Sequence, residues 1–101
     1  MSGTQDIRLD IRALLSAQSE ALCQRYSARR VGIFGSYARG DANALSDLDI
    51  LVEFDRPTFK NFMGLKLFLE DATGLSVDVV TPNSLHGRLR EHILREVDYV
   101  A

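Results

Sequence analysis

The chain has 101 residues, 46% hydrophobic and 26% charged, which suits one folded domain and excludes a disordered chain. Its net charge of −2 lacks the basic excess of a domain that mainly grips nucleic-acid backbone, so we expect no long nucleic acid as partner. The single cysteine, Cys23, excludes an internal disulfide and a thiolate zinc site, and we expect it to be buried and inert. Because the chain shows no signal-peptide pattern and no apolar run of about 18 residues, we expect a cytoplasmic protein without a membrane span.

The first predicted elements are a helix, a strand and a short helix. Apolar side chains recur at helical spacing over residues 7–22, which predicts an amphipathic helix. The apolar run of residues 31–34 ends at Gly35 and predicts a short buried strand. Ser36 is placed to cap a short helix after that strand.

The clearest strand covers residues 48–54, where side chains alternate between two faces. One face is entirely apolar: Leu48, Ile50, Val52 and Phe54. The opposite face begins with two acids, Asp47 and Asp49, and continues with Leu51 and Glu53. Burying an unpaired carboxylate is costly, so two of them on one strand face suggest a compensating cation.

A second long helix and a third strand follow. Apolar spacings of three and four predict a helix over residues 61–72, with Gly74 as its C-cap. Residues 76–81 alternate as a strand that Pro82 ends, and this strand contains a third acid, Asp78.

The last predicted element is a helix that begins at Asn83 or Ser84. Its apolar stripe repeats every four residues: Leu85, Leu89, Ile93 and Val97. Helices and strands therefore alternate within one α/β unit, and we expect a sheet of three or four strands.

The three acids predict a metal site. Asp47 and Asp49 leave the same strand face with Cα atoms roughly 7 Å apart, and Asp78 joins them if its strand pairs alongside at about 4.8 Å. Carboxylates without histidine or cysteine favour Mg²⁺ or Mn²⁺ over zinc. Two ions held by shared carboxylates stabilise the attacking and leaving oxygens of a displacement, which fits phosphoryl or nucleotidyl transfer. The plainer alternatives are a turn cap for Asp47 and a surface carboxylate for Asp78.

The Gly35–Ser36 turn joins a buried strand to a helix and presents backbone N–H groups and a hydroxyl to an anion such as a triphosphate. It matches neither a Walker A loop nor Gly-x-Gly-x-x-Gly, and by itself it more often marks a plain turn. Arg39 either contacts phosphate or pairs with Asp41, and the sequence favours neither alternative.

Three segments taken together, residues 35–40, 46–52 and 77–80, resemble the signature of the DNA polymerase beta-like nucleotidyltransferase superfamily. More closely, the chain looks like a minimal nucleotidyltransferase (MNT), the antitoxin half of HEPN/MNT toxin–antitoxin pairs. The resemblance covers the predicted catalytic core, residues 30–97, within a single domain of residues 1–101 whose first 28 residues form the N-terminal helical segment.

The resemblance implies an α/β (α+β) fold with a small mixed sheet flanked by helices. It implies that Gly35 and Ser36 hold the triphosphate of ATP, with Arg39 and Ser46 as further nucleotide-binding positions. Asp47 and Asp49 would hold two metal ions, Mg²⁺ or Mn²⁺. Asp78 would bind the catalytic ion and help deprotonate the attacking hydroxyl.

The implied acceptor is a tyrosine hydroxyl of a HEPN ribonuclease toxin, which AMP transfer would silence. Larger members of the superfamily carry an added helical domain, so we expect a partner protein to present the acceptor here. Two other functions fit the same residues: a non-catalytic antitoxin that covers the toxin, and the catalytic subunit of a heteromeric transferase acting on a small molecule. Three intact acids favour an enzyme over a pure binding module.

Other charged side chains are assigned to the surface. His86 and His92 are six residues apart, which does not fit the i, i+4 spacing of a helical metal pair. Four basic residues have the charge to contact a triphosphate or an acidic partner, but solvated helix faces explain them better: Lys60, Lys66, Arg88 and Arg90.

Overall fold

The computed structural model describes residues 7–100, with side chains from residue 10 onward, so parts of the predicted N-terminal segment lie outside the described residues. Four strands form one sheet: β1 (Ala28–Phe34), β2 (Leu48–Phe54), β3 (Val77–Val80) and β4 (Asp98–Tyr99). Their order is β3-β2-β1-β4. β1 runs antiparallel to β2 and β4, whereas β2 and β3 are parallel. The prediction of a small mixed sheet is confirmed, and its four strands lie within the predicted range of three or four.

Five α-helices lie within residues 7–100: α1 (Ile7–Ala17), α2 (Ser19–Tyr26), α3 (Gly35–Arg39), α4 (Phe59–Thr73) and α5 (Gly87–Glu96). A single 3-10 turn, Pro82–Ser84, lies between β3 and α5. None of the helices in this part of the chain is both long and apolar enough to cross a bilayer.

The predicted helix over residues 7–22 is two helices. Gln18, with φ −98° and ψ 4°, interrupts the helical backbone between α1 and α2. The apolar periodicity is nevertheless correct on both sides of the break, because Ile11, Leu15 and Leu22 are all buried in the core.

The main core fills one face of the sheet. It joins α1, α2 and α4 to the strands through side chains that are almost completely buried, among them Leu15, Leu22, Leu48, Ile50, Val52, Leu65 and Leu69. A smaller cluster lies on the opposite face, where Phe34 and Leu51 pack against Leu85 and Ile93. Helix α5 therefore covers part of the face on which the odd-numbered side chains of β2 lie.

One predicted cap is correct and two are wrong. Gly74 is the C-cap of α4, with φ +71°, and Thr58 caps the start of that helix by accepting the Asn61 N–H. Ser36 lies inside α3 and forms no capping hydrogen bond, because Phe34 occupies the cap position. Helix α5 begins only at Gly87, since Pro82–Ser84 form the 3-10 turn instead.

Two burial predictions are also wrong. Leu89 is 59% exposed, because Leu85 precedes α5 and the four-residue spacing does not continue through one helix. Cys23 is exposed on α2 rather than buried. Strand β4 was not predicted, since two residues are too few to show alternation; it is held by pairing with β1.

Candidate active site

The predicted acids meet where β2 and β3 begin. The parallel register places Asp49 directly beside Asp78, and the antiparallel register places Asp49 beside Phe34. Paired residues of neighbouring strands point to the same face at about 4.8 Å strand spacing. Asp49 and Asp78 therefore lie side by side on the face that α5 partly covers, and exposed Asp47 precedes β2 by one residue.

The carboxyl group of Asp49 has a raised pKa. Burial raises the pKa of its carboxyl to about 6, and the negative charges of Asp78 and Asp47 act in the same direction. The Arg39 guanidinium opposes this rise, and Glu96 adds to it. A cation between these groups would favour their charged forms and so reverse the effect.

The donor set fits a hard divalent cation. Its oxygens all come from carboxylates, which Mg²⁺ and Mn²⁺ prefer, and their mutual repulsion is relieved by positive charge. Within the described residues, no three histidine, cysteine or acidic side chains already surround one metal position. Asp49 and Asp78 are neighbours on paired strands. Joint metal binding by Asp47, Asp49 and Asp78 stays a prediction.

The backbone of Gly35 lies directly against Asp49. Gly35 has φ +75°, a conformation that L side chains rarely adopt. A Cβ atom at this position would overlap Oδ2 of Asp49, so a side chain here would force the turn or that carboxylate to move. The turn between β1 and α3 therefore packs directly against Asp49, the first acid of β2.

The N–H of Gly35 is already engaged. It donates a hydrogen bond of 2.6 Å to Oε1 of Glu96, the last residue of α5. Arg39 donates from Nη1 to Oε2 of Glu96 at 3.1 Å and from Nε to Asp41 at 3.2 Å. These hydrogen bonds raise the pKa of Arg39, Glu96 contributing most. Of the two alternatives for Arg39, pairing with Asp41 is the one present, and phosphate contact stays a prediction.

Ser46 closes the loop that leads to the acids. Its hydroxyl accepts the N–H of Asn43 at 2.9 Å, and its own N–H donates to the Asn43 carbonyl at 3.0 Å. Leu45, between them, is 94% exposed. Ser46 therefore shapes the turn immediately before Asp47, while its predicted contact with nucleotide stays a prediction.

Glu96 is the residue that the sequence prediction missed. Its side chain is only 15% exposed, and it contacts two residues about sixty positions earlier in the chain. One signal was available: a carboxylate in the last turn of a helix opposes the helix dipole, so it needs a specific partner elsewhere.

The histidines and lysines lie outside the acid pair. His86 and His92 are exposed, as predicted, and Nε2 of His92 lies 3.6 Å from Glu96. Lys66 is not simply solvated, because its ammonium contacts Glu70 and the carbonyl of Val77. This contact ties α4 to the start of β3, one residue before Asp78.

The acids lie on an open surface. Two surface cavities of about 400 and 360 Å³ share Phe54, Pro57 and Thr81 among their lining residues, at the far ends of β2 and β3. None of the three acids lines either cavity, and Asp47 and Asp78 are exposed.

Comparisons with known proteins agree with this arrangement. The profile of the nucleotidyltransferase domain family matches residues 15–100. The chain is 42% identical over 92 residues to the protein adenylyltransferase MntA of Thermococcus cleftensis, covering 90% of this chain and 93% of that protein. A solved structure described as a candidate minimal nucleotidyltransferase matches with 42% identity and a TM-score of 0.77, covering 96% of this chain and 98% of that one.

More distant solved structures share the fold. A toxin–antitoxin complex with AMP-PNP matches at 21% identity and a TM-score of 0.68, over 85% of this chain and 72% of that one. A tri-AMPylated HEPN toxin of Shewanella oneidensis in complex with its MNT antitoxin matches at 19% identity and a TM-score of 0.62, over 89% and 71%. With the family profile spanning most of its length and a relative 42% identical to it, the chain belongs to the nucleotidyltransferase domain family and is a minimal nucleotidyltransferase.

Proposed function

We propose that this nucleotidyltransferase moves AMP from ATP, with Mg²⁺, onto a tyrosine hydroxyl of a HEPN ribonuclease toxin, and thereby acts as an antitoxin. The observation that carries the proposal is the Asp49–Asp78 pair, set on neighbouring strands against the Gly35 backbone. The protein acceptor is supported by the 42% identity to an MntA adenylyltransferase. The HEPN partner is supported by fold neighbours that are antitoxins in complex with such toxins.

In the proposed reaction the acceptor oxygen forms a bond to the α-phosphorus of ATP, and the bond from that phosphorus to the bridging oxygen breaks, releasing pyrophosphate. Mg²⁺ held by Asp47, Asp49 and Asp78 would neutralise phosphate charge and lower the pKa of the attacking hydroxyl. Asp78 is exposed beside Asp49, where its carboxylate can take the hydroxyl proton. Ser36 and Arg39, beside the acids, orient the phosphates.

The exposure of the acids supports a protein as acceptor. Asp47 and Asp78 are exposed, and so is Leu45 in the loop before β2. A tyrosine on a folded partner needs such an open approach, because the partner brings its own walls to the site. A small-molecule acceptor would need a second subunit to enclose it.

The test uses ATP labelled on the α-phosphate, Mg²⁺ and the protein encoded by the neighbouring gene. We expect label on that protein from α-labelled ATP and none from γ-labelled ATP, which separates nucleotidyl from phosphoryl transfer. Asp47→Asn with Asp49→Asn should abolish labelling, and Asp71→Asn on the exposed side of α4 serves as the control. Absence of labelling by the wild type would refute the proposal.

The same experiment separates the alternative functions. If the double variant still neutralises the toxin when mixed in equal amounts, the chain works by binding, and the acids are not needed for antitoxin action. If label reaches a small molecule and not the neighbouring protein, the chain is the catalytic subunit of a heteromeric transferase. Tyrosine as the acceptor is checked by mapping the modified residue with mass spectrometry.

A further inference from the structure

A partly buried carboxylate bridges two parts of the proposed nucleotide site. Glu96 ends α5, and its two oxygens accept hydrogen bonds from Gly35 N–H at 2.6 Å and from Arg39 Nη1 at 3.1 Å. Its side chain is 15% exposed, while that of Arg39 is 49% exposed. Charge-assisted hydrogen bonds of this length are among the stronger ones in proteins, so Glu96 links α5 firmly to both ends of α3.

The position of Glu96 works against local electrostatics. A carboxylate in the last turn of a helix opposes the helix dipole, and this one adds to the electrostatic repulsion on Asp49. Neither helix stability nor charge balance at the acids accounts for a glutamate here. The hydrogen bonds to Gly35 and Arg39 do account for it.

Holding Gly35 also sets how close the turn lies to the acids. The space for a side chain at Gly35 is occupied by Oδ2 of Asp49, so the backbone is pressed against that carboxylate on one side. Glu96 holds the N–H of the same residue on another side. The next residue, Ser36, is thereby fixed relative to Asp49.

Glu96 leaves hydrogen-bond donors of Arg39 and Ser36 available for a ligand. The hydrogen bonds described for Arg39 use Nε and Nη1, which leaves the two N–H groups of Nη2 for another anion. The hydroxyl of Ser36 forms no hydrogen bond with the described residues. If Glu96 only took the place of a phosphate, it would also bind the donors of Arg39 Nη2 and the Ser36 hydroxyl.

We propose that Glu96 is a positioning residue for the triphosphate: by binding Gly35 and Arg39 it fixes where Ser36 and Arg39 meet the β- and γ-phosphates. This role rests on the proposed function, because it assumes that ATP binds at the acids. It assigns Gly35 a conformational part, with its N–H held by Glu96 and not by phosphate.

The direct test measures binding of α,β-methylene-ATP with Mg²⁺ by calorimetry, without any acceptor. We expect Glu96→Gln to weaken this binding about tenfold, as loss of a charge-assisted hydrogen bond implies. AMP, which lacks the outer phosphates, should bind with less than about twofold change. The matched control is Glu91→Gln, an exposed glutamate on the same helix, which should leave both affinities unchanged.

A second measurement asks whether Glu96 acts through Arg39. In an Arg39→Gln background, adding Glu96→Gln should cost much less than it costs alone, because contacting residues are not additive. The amide proton of Gly35 gives a readout independent of nucleotide: Glu96→Gln should move its NMR resonance upfield as the hydrogen bond weakens, and Glu91→Gln should not. Glu96→Asp keeps the charge but shortens the reach, so it should weaken binding as well.

The outcomes separate the two proposals. Unchanged or tighter binding by Glu96→Gln, or equal losses for the ATP analogue and AMP, would overturn the role of Glu96 while leaving nucleotide transfer intact. If Glu96→Gln proves unfolded by its melting curve, Glu96→Asp decides, and unchanged binding by that variant overturns the role. A wild type that fails to bind the analogue at all would overturn the proposed function itself.

Discussion

The two faces of the sheet are built from different side chains, although the same strands supply both. Toward α1, α2 and α4, β2 contributes three side chains without exposed surface: Leu48, Ile50 and Val52. Toward α5, the same strand contributes Asp49 and Glu53 together with the buried Leu51. The first face removes apolar surface from water and so supplies folding free energy. The second face is only partly covered and leaves carboxylates at a boundary with solvent.

This difference follows from how many helices cover each face. The first face is closed by α1, α2 and α4 together with Tyr37 of α3, whereas among the described helices α5 packs on the second face, where its Ile93 reaches Phe34 and Leu51. The uncovered part begins at Asp49 and Asp78, and the end of α5 reaches it with a charged residue, Glu96. Stability and chemistry are thus separated on the two faces of one sheet, because successive side chains of a strand point to opposite faces.

The largest effect is expected from removing a charge on the second face of the sheet. Asp49→Asn should reduce AMP transfer at least about a hundredfold, because losing a group that only supports a metal ligand already costs about 10- to 100-fold. Its melting temperature in metal-free buffer at neutral pH should not fall, since the change removes a repelled carboxylate. Transfer rates and melting curves are measured beside Asp71→Asn, an exposed acid on α4. A destabilised Asp49→Asn protein would contradict the division of roles.

The first face should respond in the opposite way. Ile50→Ala leaves a cavity in the main core and should lower the free energy of unfolding by about 2–5 kcal/mol, as measured in urea. Leu89→Ala, on the exposed side of α5, should change it by less than about 0.5 kcal/mol. Nucleotide affinity of the Ile50→Ala protein, while it remains folded, should be nearly unchanged. Similar stability losses for both variants would show that α5 buries more than its contacts indicate.

A smaller effect is expected where the two regions meet, at Gly35. Gly35→Ala and Gly74→Ala both force a side chain into a left-handed backbone, at φ +75° and φ +71°, which costs about 1–2 kcal/mol. Only the Cβ atom at Gly35 meets another group, Oδ2 of Asp49, whereas the one at Gly74 meets none within 4 Å. Gly35→Ala should therefore lose more stability than Gly74→Ala and should also lose affinity for ATP with Mg²⁺. Equal losses of stability and intact nucleotide binding would mean that the turn can move away from Asp49.

The sequence predicted the covered face better than the open one. Strand β2 was placed at its observed bounds because alternation with period two is a local signal, and the C-cap at Gly74 was found because a left-handed residue favours glycine. The failures share a cause: they depend on contacts distant in sequence. Leu89 and Cys23 carry apolar or small side chains whose burial is decided by which helix packs nearby, and spacing alone does not show this.

At the site, the sequence supplied the acids but not their support. Asp49 and Asp78 could be paired from strand patterns, since each strand shows its own alternation. The bond from Gly35 to Glu96 spans 61 positions, and no local pattern in α5 predicts it. Arg39 shows the same limit: its partner Asp41 is two residues away and was foreseen as one alternative, whereas its partner Glu96 was not.

The smallest expected effect, on pH, tests whether Asp49 is repelled in the absence of metal. Its folded pKa of about 6 lies above the usual value of 3.8, so between these values the folded state keeps a proton that the unfolded state has released. Stability from this group is therefore full below the lower value and is lost as pH rises through the upper one. In chelator, Asp49→Asn should gain stability relative to wild type as pH rises from about 4 to about 7. Because Mg²⁺ among the carboxylates favours their charged forms, saturating Mg²⁺ should stabilise wild type at neutral pH more than it stabilises Asp49→Asn. A difference between the two proteins that does not vary with pH would place the raised pKa on another group.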